Sequence, residues 1–170
     1  MTNTMSEVRL HRLNETLQAM YQVISFAEGA EPDWARMNTV FFPHARLTWI
    51  TPEGVDCLDL PTFQAMATEM LDRGVYTSFF EHEIARRTCI FGALAHVLSA
   101  YETRCTPHAA SCLARGLNSI QLLWNGNGWR VLNLAWDEAA ASDRPDLAQI
   151  FLDEVTRGKA ASLPCLFDAK

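Results

Sequence analysis

His82, Glu83 and Tyr101 are the side chains of this 170-residue chain best suited to moving a proton or holding a developing charge. Desolvation makes a carboxyl such as Glu83 a weaker acid when it is enclosed by apolar groups. It then becomes a usable general base near neutral pH. Tyr101 offers a phenol that hydrogen-bonds a carbonyl and steadies an oxyanion as one forms. His82 and Glu83 are neighbours on an extended segment, so they project to opposite faces and cannot act as a directly coupled pair, although either serves alone. The structural alternatives are a Glu83 that faces outward and pairs with Arg104 or Arg115, and a Tyr101 that is a core residue with its hydroxyl on backbone or water. Asn118, Ser119 and Gln121 are polar positions in an otherwise apolar run and need partners wherever they are buried.

Metal and nucleophile chemistry has thinner support. Cys105-x-x-His108-x-x-x-Cys112 supplies three ligand types within one loop, whereas a structural zinc site takes four. The five cysteines are an odd number without framework spacing and read as reduced thiols. No glycine-rich phosphate loop and no nucleophile elbow occur. The formal net charge is −6 and the longest basic run is Arg86-Arg87, which excludes a clustered footprint for nucleic acid or an anionic membrane surface. No apolar run approaches the roughly 18 residues of a membrane span. The polar stretch Met1–Arg12 lacks an apolar signal core, so a cytoplasmic location is expected.

The elements that must position these groups follow from periodicity. Leu10, Leu13, Leu17, Met20/Tyr21 and Ile24 fall at steps of three and four, which predicts a helix over about 7–27. Pro32 and Asp33 open a short second helix with Trp34 and Met37 facing inward, broken by Phe41–His44. Arg46–Ile50 and Val55–Leu58 flank the turn Thr51-Pro52-Glu53-Gly54. Asp59 and Pro61 start a third helix with Phe63, Met66, Met70 and Leu71 on its buried side. Four long antiparallel strands are then expected over about 78–91, 93–104, 113–124 and 129–137. Asn125-Gly126-Asn127-Gly128 makes the last corner, because Asn-Gly tolerates positive φ. In the second of these strands Ala95, Val97, Ser99, Tyr101 and Thr103 share a face, expected to point inward. A bulge would invert that assignment. Asp137-Glu138 is expected near solvent. A last helix is expected from Ser142 or Asp143 to about Arg157, followed by a tail.

The order helix, helix, hairpin, helix, four long strands resembles the nuclear-transport-factor-2-like superfamily. So does the ending Gly128-Trp129-Arg130-Val131…Ala135-Trp136-Asp137-Glu138. Gly92–Glu102 and Arg115–Leu122 resemble its SnoaL-like, polyketide-cyclase-like branch. The resemblance implies an α+β fold, a cone-shaped, curved, mostly antiparallel sheet wrapped around three N-terminal helices (a cystatin-like half-barrel), often dimeric through the outer sheet face. Members include isomerases, dehydratases, cyclases and binding modules. The ketosteroid-isomerase type uses a carboxylate base on the first hairpin and a carboxylic acid plus a tyrosine as an oxyanion hole. Here the hairpin and sheet positions hold Thr48-Trp49-Ile50 and Leu117-Asn118-Ser119, without an acid, and only Tyr21, on the first helix, lies where the tyrosine would. Two of the three roles are unfilled, so that specific chemistry is not expected.

One domain over 1–170 is therefore expected, with its core at about 7–138 and a C-terminal helix and tail at 142–170. Its expected function is binding of a small hydrophobic or aromatic metabolite in the cone. The lining is expected from Tyr21, Trp34, Trp49, Asn118, Gln121 and Trp136. No cofactor and no metal are expected, and a homodimer is. The enzymatic alternative is a cofactor-free isomerase, dehydratase or cyclase with Glu83 or His82 as base and Tyr101 as oxyanion partner. A protein-interaction module using the outer sheet face or the tail is the third reading.

Overall fold

The computed structural model describes residues 2–140, 142 and 143. The helix and tail expected beyond them, with Cys165, lie outside the described residues. Helix α1 (Thr2–Ile24) is followed by α2 (Trp34–Val40), β1 (Phe41–Thr51), β2 (Gly54–Leu58) and α3 (Leu60–Asp72). Four long strands complete the order: β3 (Phe80–Phe91), β4 (Leu94–Arg104), β5 (Ala114–Trp124) and β6 (Trp129–Ala140). They form one six-stranded sheet in the order β2-β1-β6-β5-β4-β3. Every pairing is antiparallel except β1 with β6. The fold is α+β, a curved, open sheet with the three helices against it, as the resemblance implies.

Leu13, Leu17, Met20, Tyr21 and Val23 of α1 are buried against Ala95, Val97 and Tyr101 of β4, Ile120 and Leu122 of β5, and Val131 of β6. Leu10, expected on the same stripe, is 48% exposed. The helix stops at Ile24, earlier than expected, because Phe26 leaves it to make a two-way backbone bridge with Phe79 at 2.7 and 2.9 Å. That bridge ties the end of α1 to the start of β3. Asp33 caps α2 by accepting from the Arg36 N–H at 2.9 Å, and Asp59 caps α3 through Thr62 at the same distance.

The break expected at Phe41–His44 is already strand. Phe41 pairs with Val131, and the register shifts before Arg46 resumes against Asn133. Pro43 falls in that shift, where its missing N–H costs no ladder bond.

Two further irregularities govern what the sheet presents inward. On β3 the ladder runs Thr88↔Val97 and Arg86↔Ser99, then skips one residue before Glu83↔Tyr101 and Glu81↔Thr103. On β6 it skips one residue between Leu122↔Val131 and Gln121↔Asn133. Each bulge inverts the faces of everything beyond it. Glu81 and Glu83 thereby share the inner side with Tyr101, and Trp136 and Glu138 share it with Asn118 and Gly116.

Truncating the buried α1 stripe separates core from surface. Leu17→Ala is expected to destabilise by about 2–5 kcal/mol, and Leu10→Ala by no more than about 0.5 kcal/mol. Equal losses in urea unfolding would contradict this packing.

Candidate functional site

The mouth of the cone holds a cavity of about 150 Å³. Its walls are mostly apolar: Met20, Ile24, Met37, Leu47, Trp49, Phe63 and Trp136 among others. Trp49 and Trp136 stack at 6.1 Å between ring centroids, and Phe63 meets Trp136 edge-on at the same distance. Into this lining project two carboxyls, Glu81 and Glu138, together with Tyr101 and Asn118. An apolar pocket with a few convergent polar groups is where a ligand site is to be sought.

Tyr101 is held from both sides. Its hydroxyl donates to Glu138 Oε2 at 3.0 Å, and its ring lies directly over Gly116. A Cβ at position 116 would stand 2.3 Å from the ring, so only glycine leaves room for the tyrosine. Burial, then the charges of Glu81 and Glu138, hold the phenol far above its ordinary pKa. Tyr101 therefore donates a hydrogen bond and stays protonated.

Glu81 is the most perturbed acid. The residue keeps part of its surface open, but its carboxyl is packed among protein atoms, and those surroundings set its acidity. Burial first, and the charge on Glu138 second, push its pKa up to about 8, against a hydrogen bond from Asn118. At neutral pH Glu81 is thus mainly the protonated partner of a carboxyl pair.

Behind Asn118 runs a directed chain of hydrogen bonds. Asn118 Nδ2 donates to the Tyr21 hydroxyl at 3.2 Å. Tyr21 lies 2.6 Å from Ser99 Oγ, which donates to Glu83 Oε2 at 2.5 Å. Since Ser99 spends its proton on Glu83, the Tyr21 hydroxyl donates to Ser99. Burial, and then Glu81, hold Tyr21 above the usual phenol range. Glu83 pairs with Arg86 Nε at 3.5 Å, and Arg86 donates to Asn14 Oδ1 at 2.5 Å. These groups border an open, polar groove of about 400 Å³ between α1 and β3. The groove is larger than the cone cavity, but Glu83 and Arg86 in it already satisfy each other, and the perturbed acid faces the cone as well.

The expected site residues therefore divide. Tyr101, Asn118, Trp49 and Trp136 line the cone cavity. Tyr21 stands one hydrogen bond behind Asn118. Trp34 packs edge-on against Phe63 and lines a neighbouring compartment. Glu83 lies on the inner side but under α1, and its arginine is Arg86 rather than Arg104 or Arg115. His82 points to the outer face, 45% exposed and 3.8 Å from Glu102. Burial and Arg104 hold its pKa below the ordinary histidine value, against the pull of Glu102. Gln121 is exposed on the outer face, where alternation with buried Ile120 and Leu122 puts it. Arg104 and Arg115 donate to Glu102 at 2.7 and 2.9 Å. Burial opposes ionisation of Glu102, but these bonds outweigh it and hold the carboxyl below its usual range. Cys105 is exposed, Cys112 rests its Sγ on the Ala114 carbonyl at 2.9 Å, and among the described residues no three metal-ligating side chains converge. Among the described residues no helix is long and apolar enough to cross a membrane.

Nothing in the sequence marks Glu81 as a cavity group, and Glu138, expected near solvent, lines the cavity instead. The signal was parity: Glu81 is two residues from Glu83, and Glu138 two from Trp136. Only the bulges say which parity faces inward.

No protein-family model matches the chain, and no curated protein matches it by sequence. Solved structures match its fold. A function-unknown protein from Mycobacterium tuberculosis aligns at TM-score 0.61 and 13% identity, over 80% of this chain and 75% of that one. A Nostoc punctiforme protein of unknown function with a cystatin-like fold aligns at 0.58 and 9%, over 75% and 89%. An NTF2-like protein of unknown function from Shewanella baltica aligns at 0.54 and 14%, over 76% and 93%. The chain has the NTF2-like fold.

Two outcomes follow from this geometry. Gly116→Ala should destabilise the native state strongly, and much less in a Tyr101→Ala background, because the clash is with that ring. A double-mutant cycle reads the coupling, and strict additivity would refute it. Glu81 has a folded pKa above its unfolded value, so the stability it contributes is complete at low pH and is lost as pH rises through about 8. Glu81→Gln should flatten the decline of Tm between pH 5 and 8. An unchanged Tm profile would mean that Glu81 titrates normally.

Proposed function

We propose that the cone binds a small, mostly apolar molecule, about the size of a single ring, that carries one hydrogen-bond-accepting oxygen. The observation that carries this reading is a cavity of about 150 Å³ with aromatic and methionine walls and two neighbouring carboxyls, Glu81 and Glu138, among them. A dry cavity of that volume holds a benzene-sized body. Drug-sized ligands need roughly 300 Å³ or more, so a steroid-sized body is too large for the cavity as it stands. Protonated Glu81 supplies the donor to the ligand oxygen, and Asn118 keeps the Glu81 carboxyl in place. The resemblance of Gly92–Glu102 and Arg115–Leu122 to SnoaL-like proteins supports a small-molecule role but does not select the molecule.

A second reading, cofactor-free proton transfer, is favoured by the closeness of two carboxyls, Glu81 being held protonated by burial and by the charge of Glu138. Glu81 is held protonated and polarises a carbonyl. Glu138, which accepts a hydrogen bond from Tyr101, takes a proton from the carbon beside it and returns it to the γ-carbon as the double bond shifts, so the composition is unchanged. Isomerisation of a β,γ-unsaturated ketone is the simplest reaction that such a pair serves.

Acetophenone and cyclohexanone are suitable probes. At a hundredfold excess over Kd, binding adds about 2.7 kcal/mol, or roughly 5–10 °C in Tm for a chain of this size. Affinity should fall as pH rises through about 8, and Glu81→Gln should remove that fall. If neither ketone shifts Tm at any pH, the binding reading is wrong. Conversion of cyclohex-3-enone to cyclohex-2-enone, lost in Glu138→Gln, tests the second reading. Turnover that survives that substitution would exclude Glu138 as the base.

A further inference from the structure

Beside the cone cavity lies a second hollow of about 120 Å³, between α3, the end of α1 and α2. Phe26, Pro32, Trp34, Ala67 and Leu71 belong to this compartment alone. No charged side chain lines it. Ile24, Phe63, Met70, Tyr76 and Phe79 line both spaces, so they are a partition one side chain thick. Met70 is its most adaptable member, being unbranched with three rotatable bonds.

Helix α3 carries part of that partition and is lightly seated. Of its residues only Leu60, at its first position, is buried. Phe63, Met66, Ala67, Met70 and Leu71 remain half-buried although they form its apolar side. An amphipathic helix ordinarily presses such a stripe into a filled core. Here the stripe stands over two hollows.

We propose that the side compartment receives the hydrocarbon tail of the molecule whose oxygen-bearing head occupies the cone, with Met70 swinging aside to join the two spaces. This rests on the binding reading above and deepens it. The ligand class becomes a short amphiphile, with a carbonyl-bearing ring at Glu81 and an alkyl chain running under Trp34. By the volume that a six-carbon body needs, the compartment takes roughly five carbons. The polarity of the lining sets the orientation, because every acidic group lies in the cone and none beyond the partition.

Titration calorimetry with alkyl phenyl ketones from acetophenone to octanophenone tests the proposal. Affinity should rise two- to fourfold per added methylene for about five carbons and then level off. Ala67→Trp, which fills the compartment, should leave acetophenone binding within twofold and abolish the rise with chain length. Met70→Ala, which thins the partition, should steepen the rise of affinity with chain length, each ketone being compared with acetophenone in the same variant. It provides the decisive comparison if the tryptophan variant does not fold. A flat series in the unmodified protein, with acetophenone still bound, overturns the tail compartment and leaves the cone reading intact. A rise that persists in folded Ala67→Trp, or that Met70→Ala does not alter, also overturns it. If no ketone of the series binds, the cone reading itself fails.

Discussion

A β-strand presents alternate residues to opposite faces, and only an inserted residue can change which set faces in. The arrangement of this site depends on that constraint. One bulge near Ile84 turns Glu81 and Glu83 inward, and a second near Leu132 turns Trp136 and Glu138 inward. Without them the ladder would oppose Ile84 to Tyr101 and Asp137 to Gly116. The cone would then present different chemistry. The bulges are thus the means by which two acids enter an apolar trough.

Placing two carboxyls in such surroundings is costly unless one of them stays neutral. The structure meets this with a graded set of partners. Glu102, on the outer face, has two arginines and ionises readily. Glu83, under α1, has Arg86 and the Ser99 hydroxyl. Glu138 receives the Tyr101 hydroxyl, and Glu81, which has no salt-bridge partner among the described residues, receives the Asn118 amide. The acid with the least compensation is the one whose pKa rises to about 8. Tyr101 owes its position to Gly116, whose missing side chain is filled by the phenol ring. One small residue on β5 thus determines where a donor on β4 can reach β6.

Much of the fold was legible in the chain. The stripe Leu13, Leu17, Met20 and Tyr21 identified the face of α1, and Asn125–Gly128 located the final hairpin. The inward set Ala95, Val97, Ser99, Tyr101 and Thr103 follows from period two and is buried throughout. The departures have local causes. Leu10 follows Arg9, which meets Gly92 at the β3–β4 corner and Trp129 at the start of β6, so it stands level with the end of the sheet, and Phe26 is drawn out of the helix by its bridge to Phe79. For the site, Tyr101 was placed inward by strand alternation, and of the expected lining Trp49, Asn118 and Trp136 border the cone cavity while Trp34 and Gln121 do not. Glu81 and Glu138 were not placed inward, because their faces depend on two skipped residues that no local propensity marks.

Sequence alone determined the order of the elements, the residues that cap them and the apolar stripes that pack them, because these depend on neighbours within a few positions along the chain. Tertiary structure decided which acids share the cone, which of them stays protonated and how the hollow beneath α3 is divided. Those outcomes depend on register between distant strands and on burial, and both exist only once β3, β4, β5 and β6 lie side by side.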